Sequence, residues 1–128
     1  MKGACVVLVL VLVLVVSGLC LATGNVQDRV ESLIQENAVM VFSKSYCPFC
    51  ARAKRYLSGN EIAFGVLELN EDPSGAEIQQ YLLQKTGQRT VPSIFINGAH
   101  IGGSSELLAM DAGSVKKRIS SGTPSGEF

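Results

Sequence analysis

Cys47 and Cys50, separated by Pro48 and Phe49, are the residues of this chain best suited to covalent chemistry. The apolar run Val39-Met40-Val41-Phe42 precedes them, and a charged stretch of helical character, Ala51-Arg52-Ala53-Lys54-Arg55, follows. A strand therefore delivers Cys47 to a loop, and Cys50 enters the first turn of a helix. Residues three apart at a helix start face the same way, so the two sulfurs come within bonding distance. The unpaired N–H groups and partial positive charge of that helix start favour thiolate over thiol at Cys47. Lys44 and Arg52 add positive charge on either side. Pro48 suits the opening of a helix, where its missing N–H costs nothing. The pair also reads as a small buried couple or as half of a zinc site. Zinc wants a second Cys or His pair, and beyond the N-terminal segment only His100 remains. Redox chemistry is the preferred reading.

The elements that position this pair are legible in the spacing. Val26, Val30, Leu33 and Ile34 recur at helical period, with Asn25 as N-cap and Asn37 as the close. Val39–Ser43 follows as a strand. The cysteine-bearing helix runs from about Pro48 to Leu57 and stops at Ser58-Gly59-Asn60. Phe64–Leu69 reads as a second strand, parallel to the first if the helix crosses over between them. A turn at residues 70–75 leads into a helix with Ile78, Tyr81, Leu82 and Lys85 on its inner stripe, ended by Gly87. Ser93-Ile94-Phe95-Ile96, Asn97-Gly98 and Ala99-His100-Ile101 form the strongest hairpin signal in the chain. Gly102-Gly103 breaks that strand, and Ser104 or Ser105 caps a helix through Met110. A last helical piece spans Ser114–Ile119, and Ser120–Phe128 is expected to fray. This order predicts an α/β fold, a mixed four-stranded sheet with helices on both faces.

Lys and Arg number 11, as do Asp and Glu, and Lys2 is the one charged residue before Asp28. The balance argues against nucleic-acid binding and against a broadly basic membrane surface. Residues 1–24 read as a secretory leader. Met1-Lys2 gives a charged start, Ala4 to Val16 is apolar throughout, and Ala22-Thr23-Gly24 offers small residues for cleavage. Counted to Ala22, the segment is also about as long as a short membrane span. A cleaved signal is preferred over a retained anchor. Residues 25–120 then make one domain, with 121–128 as its tail. The expected location is the secretory pathway (lumenal or secreted), with membrane attachment only if the leader is retained.

Three further segments bear on the thiols. Pro92, in Thr90-Val91-Pro92, cannot donate a ladder bond. A cis bond there would present the Val91 N–H and C=O to an extended ligand; a trans proline opening the strand is the other reading. Gly102-Gly103-Ser104-Ser105 allows close backbone approach and offers helix-start N–H groups to a carboxylate, although Gly-Gly alone marks only a turn. Lys44, Gln79 and Arg89 supply carboxylate- or amide-binding groups, each of which alone would be a solvated surface residue.

Together these segments resemble the dithiol glutaredoxin family across about residues 26–120. The resemblance rests on Lys44-Ser45-Tyr46-Cys47-Pro48-Phe49-Cys50, on Thr90-Val91-Pro92 and on Gly102-Gly103-Ser104-Ser105-Glu106, in that order and spacing. It implies a thioredoxin-like fold and a glutathione-dependent disulfide oxidoreductase in which glutathione is co-substrate, with no metal or organic cofactor. It implies Cys47 as nucleophile and Cys50 as resolving thiol. Lys44, helped by Gln79, would lower the thiolate's energy and receive the glycyl carboxylate. The Val91 backbone would pair with the cysteinyl part, beside Arg89, Thr90 and Pro92. Gly103, Ser104 and Ser105 would hold the γ-glutamyl carboxylate. Phe49 stands where the family more often has tyrosine, keeping the ring and losing the hydroxyl. Ser105-Glu106 stands where an acidic pair is common. The implied partners are glutathione and glutathionylated or disulfide-containing proteins, met by a monomer.

Two other classes compete. One is a dimer holding an iron–sulfur cluster through one Cys47 per subunit and two glutathiones; Pro48 counts against it by stiffening the loop. The other is a thioredoxin- or disulfide-isomerase-type enzyme, against which stands the absence of any Trp.

Overall fold

The computed structural model describes residues 25–121. The leader and the end of the tail therefore lie outside the described residues. Helix α1 (Val26–Glu36) is followed by β1 (Val39–Ser43), α2 (Pro48–Gly59), β2 (Gly65–Glu68) and a single 3-10 turn at Leu69–Glu71. Helix α3 (Gly75–Thr86), the hairpin β3 (Ser93–Ile96) and β4 (Ala99–Gly102), and the helices α4 (Ser104–Ala109) and α5 (Ala112–Ser121) complete the order. The sheet runs β2-β1-β3-β4. β1 pairs with β2 in parallel, Val41 opposite Val66, and with β3 antiparallel, Val41 opposite Ile94. The expected mixed four-stranded α/β sheet is the observed one.

Strand β1 is buried along its whole length because helices cover both of its faces. Its side chains alternate. Val39 and Val41 join Ile94, Ile96, Ala53, Leu57, Leu107 and Val115 on the α2, α4 and α5 side. Met40 and Phe42 join Phe95, Val30, Ile34, Ile78 and Leu82 on the α1 and α3 side. This two-sided core immobilises the C-terminal end of β1, from which the cysteine loop departs. Asn25 caps α1 by accepting the Asp28 N–H at 2.8 Å. Asn97 and Gly98 both take positive φ, 50° and 83°, as the two-residue hairpin turn requires.

Several boundaries differ from the expectation. Leu69 leaves β2 for the 3-10 turn, where its side chain is buried in the second core cluster. Lys85 is not on the inner stripe of α3; its amine reaches outward to Glu31 at 2.8 Å. Helix α4 is capped by Gly103 rather than by Ser104 or Ser105, because the Glu106 carboxylate turns back to accept the Gly103 N–H at 2.6 Å. Helix α5 starts two residues early, with Asp111 accepting the Ser114 N–H at 2.8 Å. It also continues through Ser120 and Ser121, where the Ser120 hydroxyl donates to the Lys116 carbonyl at 3.1 Å.

Candidate active site

Strand β1 ends at Ser43, and the four residues that follow carry Cys47 to the N-cap position of α2. A tight turn forms there, the Cys47 N–H donating to the Lys44 carbonyl at 3.0 Å. Asn70, on the 3-10 turn after β2, fastens this loop from the side. Its Oδ1 accepts the Ser45 N–H at 2.9 Å and its Nδ2 donates to the Ser45 Oγ at 2.7 Å. Pro48 opens the helix. No side chain caps α2, so its first N–H groups face the Cys47 sulfur.

The two thiols, both free, have opposite surroundings. Cys47 is partly exposed, and Cys50 is fully buried. Burial pushes the Cys47 thiol up, but the N–H and thiol of Cys50, the N–H of Phe49 and the charge of Lys44 outweigh it. The Cys47 thiol therefore sits below its ordinary value. Burial pushes the Cys50 thiol up, and the adjacent Cys47 pushes it further. The Ser43 hydroxyl and the Lys44 backbone only partly offset this. A reactive outer thiolate and a protonated inner thiol is the arrangement that thiol–disulfide exchange uses.

Beside Cys47 runs a groove of about 360 Å³, lined by Phe49, Gln88, Thr90, Val91, Pro92, Gly103, Ser104, Ser105 and Glu106. The Val91–Pro92 peptide is cis, and the Cys47 thiol donates weakly to the Val91 carbonyl at 3.9 Å. Gly102 holds φ at 118° and turns the chain out of β4, while Gly103 has an ordinary φ of −107°. A larger hollow of about 660 Å³ between α4 and α5 contains no thiol and offers nothing for redox chemistry.

The groove thus gathers Phe49, Thr90, Val91, Pro92, Gly103, Ser104 and Ser105, as the sequence suggested. Lys44, Gln79 and Arg89 are not part of its lining. Lys44 acts on Cys47 through its charge. The Gln79 side chain is committed to the Arg89 carbonyl at 2.9 Å, fastening α3 to the loop before Pro92. Arg52 corrects the first reading of the motif. It is not among the groups that set the Cys47 thiol, and its guanidinium lies over the Phe49 ring, 5.7 Å from its centre.

The roles of three residues at the site escape the sequence. The Gln88 amide donates to the Thr90 and Pro92 carbonyls at 2.9 and 2.8 Å and so holds the groove wall. Glu106 and Asn70 tie down the two glycines' helix and the cysteine loop. Gln88 lies two residues before Thr90-Val91-Pro92, close enough in sequence for its long amide to reach those carbonyls, but Asn70 is 25 residues from its partner and carries no local signal. Among the described residues no group of three or more His, Cys, Asp or Glu is placed to hold a metal ion.

Comparison with known proteins gives one consistent result. A family model described as Glutaredoxin matches residues 39–101. The chain is 53% identical over 97 residues to Glutaredoxin-1 of Rhizophagus irregularis, covering 75% of this chain and 96% of that one. It is 45% identical over 98 residues to Glutaredoxin-2 of Schizosaccharomyces pombe, covering 76% and 89%. Among solved structures, a buckwheat glutaredoxin–glutathione complex superposes with a TM-score of 0.72 at 34% identity, covering 77% of this chain and 91% of that one.

Proposed function

The chain belongs to the glutaredoxin family and is a glutathione-dependent thiol–disulfide oxidoreductase, and on that premise we propose that Cys47 and Cys50 are its working thiols. The observation that carries this reading is the contrast between them: Cys47 partly exposed at a bare helix start with its thiol lowered, Cys50 buried with its thiol raised.

The Cys47 thiolate attacks the glutathione sulfur of a protein–glutathione mixed disulfide. The Cys47–glutathione bond forms as the protein sulfur leaves and takes a proton. A second glutathione, as thiolate, attacks the bound glutathione sulfur, releasing oxidised glutathione and restoring the Cys47 thiolate. With a protein disulfide, Cys47 forms a mixed disulfide with one sulfur, and the Cys50 sulfur, losing its proton, displaces the protein and closes the Cys47–Cys50 bond. Two glutathiones then reopen it. Each round oxidises two glutathiones and reduces one disulfide. Glutathione takes the groove: its cysteinyl part lies along Val91 between Thr90 and Pro92, and its γ-glutamyl end meets Gly103, Ser104 and Ser105. Phe49 walls the near side, while Lys44, Gln79 and Arg89 stand toward the glycyl end. That the solved buckwheat relative is a glutathione complex supports this seating.

The protein partners are glutathionylated or disulfide-bonded chains, reached by a monomer. Residues 1–24 act as the leader that carries the 25–120 domain into the secretory pathway. A lumenal glutathione pool is more oxidising than a cytosolic one, so the same steps run in reverse there more readily. Turnover of a small glutathione mixed disulfide, coupled to glutathione reductase, tests the activity. Robust turnover by that route and none with thioredoxin reductase is expected, and the reverse preference would contradict it. Fractionation of the C-terminally tagged full-length protein, read for size, compartment and carbonate extractability, tests the leader.

A further inference from the structure

The segment that carries both thiols is charged with one sign only. Residues 44–60 contain Lys44, Arg52, Lys54 and Arg55 and no Asp or Glu, in a chain whose charges balance overall. Helices α1, α3 and α4 each place an acid in the first turn, where it suits the helix dipole; α2, like α5, places none. Lys54 is paired with Glu68 at 3.0 Å. Lys44, Arg52 and Arg55 have no ion-pair partner among the described residues. Two large rings stand exposed around Cys47, Tyr46 at 70% and Phe49 at 54%. The Arg52 guanidinium sits over the Phe49 ring, 5.7 Å from its centre, which keeps the cation at the rim of the site.

The groove accommodates the glutathione half of a mixed disulfide, so the protein half must rest on what surrounds Cys47 outside it. We propose that Tyr46 and Arg52, together with the Phe49 ring that borders the groove, form a docking rim for an acidic protein segment, selecting glutathionylated cysteines flanked by Asp or Glu. The inference rests on the oxidoreductase reading above and names its substrate class. Arg52 fixes the sign: an exposed cation held against an aromatic face attracts a carboxylate and repels a lysine, while the rings supply apolar contact to the adjoining residues.

The test uses two glutathionylated peptides identical except for paired Asp or paired Lys flanks, together with a small neutral glutathione mixed disulfide. At about 50 mM salt the unaltered protein is expected to turn over the Asp peptide roughly fivefold better than the Lys peptide in kcat/KM, the scale of one or two exposed charge pairs. The ratio falls toward one at about 0.5 M salt. Arg52→Glu reverses the preference and Arg52→Gln abolishes it, and both leave turnover of the small disulfide and the pH profile of Cys47 alkylation unchanged. Equal turnover of the two peptides by the unaltered protein overturns the inference. So does an Arg52→Gln protein that slows all three substrates alike with a displaced alkylation profile, since the cation would then serve the thiolate. Failure of the unaltered protein on the small disulfide overturns the oxidoreductase reading and this inference with it.

Discussion

Gly102 and Gly103 are neighbours with opposite roles, and substituting each by alanine separates them. An ideal Cβ on Gly103 meets the Pro92 carbonyl oxygen at 3.4 Å and the Glu106 Oε1 at 3.5 Å, which are ordinary contacts, and its φ of −107° suits any residue. Alanine at a helix N-cap costs about 0.5–1 kcal/mol relative to glycine. The less mobile unfolded chain returns roughly 0.4–1 kcal/mol. Stability is therefore expected to stay within about 4 °C in Tm, since about 1 kcal/mol moves a domain of this size by roughly 4–8 °C. The new methyl group points toward the Pro92 and Gln88 wall of the groove, where the ligand's γ-glutamyl end must approach. Loss of one charge-assisted hydrogen bond there is about 1.5 kcal/mol, or roughly tenfold in the Michaelis constant for glutathione. Gly102→Ala should behave differently. Its φ of 118° disfavours any side chain, and the Cβ would lie 2.5 Å from the Glu106 Oε1 that caps Gly103. Strain of order 1–3 kcal/mol with a lost cap of about 1 kcal/mol predicts a Tm drop of at least about 8 °C. Thermal unfolding and glutathione saturation kinetics on both variants decide. A Gly103→Ala protein with a much lower Tm but unaltered saturation would refute the reasoning.

Two further predictions concern charge. Lys44→Gln should raise the Cys47 thiol only partly, because Lys44 follows the Cys50 and Phe49 N–H groups among the influences that lower it. An exposed pair is worth about 0.2–1 kcal/mol, so iodoacetamide alkylation at low pH should slow by no more than about fivefold, and less in high salt; an unchanged profile would leave the helix start as the sole activator. His100 is pushed below its ordinary value by burial, against a smaller opposing pull from Glu106, and its Nε2 is buried without a partner. Because the unfolded chain binds the proton more readily, the native state loses stability as pH falls through about 6.5, with none lost above it. Urea unfolding at pH 7.5 and 5.5 should show this loss, His100→Phe should reduce it, and an equal loss in both proteins would assign it to other groups.

Much of this architecture was legible because its signals are local. The Asn97-Gly98 turn flanked by apolar runs and the Cys47–Pro48–Phe49–Cys50 helix start each announce themselves within a few residues. The alternation of β1 hid nothing either, since a strand buried on both faces reads as a continuous apolar run. What escaped was contact between distant segments. Nothing near Asn70 indicates that it reaches Ser45, and nothing in Arg52 indicates whether its charge serves the Cys47 sulfur or the Phe49 ring. The cap of α4 was misassigned because serine is the commoner N-cap, whereas here Glu106 supplies the acceptor from the third helical position. Gln79 reads as a ligand group, and its type gives no sign that its amide also holds the Arg89 carbonyl. Helix-forming and turn-forming preferences are properties of neighbours in sequence; hydrogen-bond commitments of long polar side chains are properties of the folded surface.

The central claim is the division of labour between the thiols, and single-cysteine variants test it most directly. Cys47→Ser and Cys50→Ser are assayed for release of glutathione from a small glutathione mixed disulfide, with glutathione and glutathione reductase supplied. The partly exposed thiolate at the helix start performs the attack, and a second glutathione completes the cycle without the buried partner. Cys47→Ser is therefore expected to abolish turnover, while Cys50→Ser retains much of it. Comparable losses in both variants, or activity surviving in Cys47→Ser, would contradict the account.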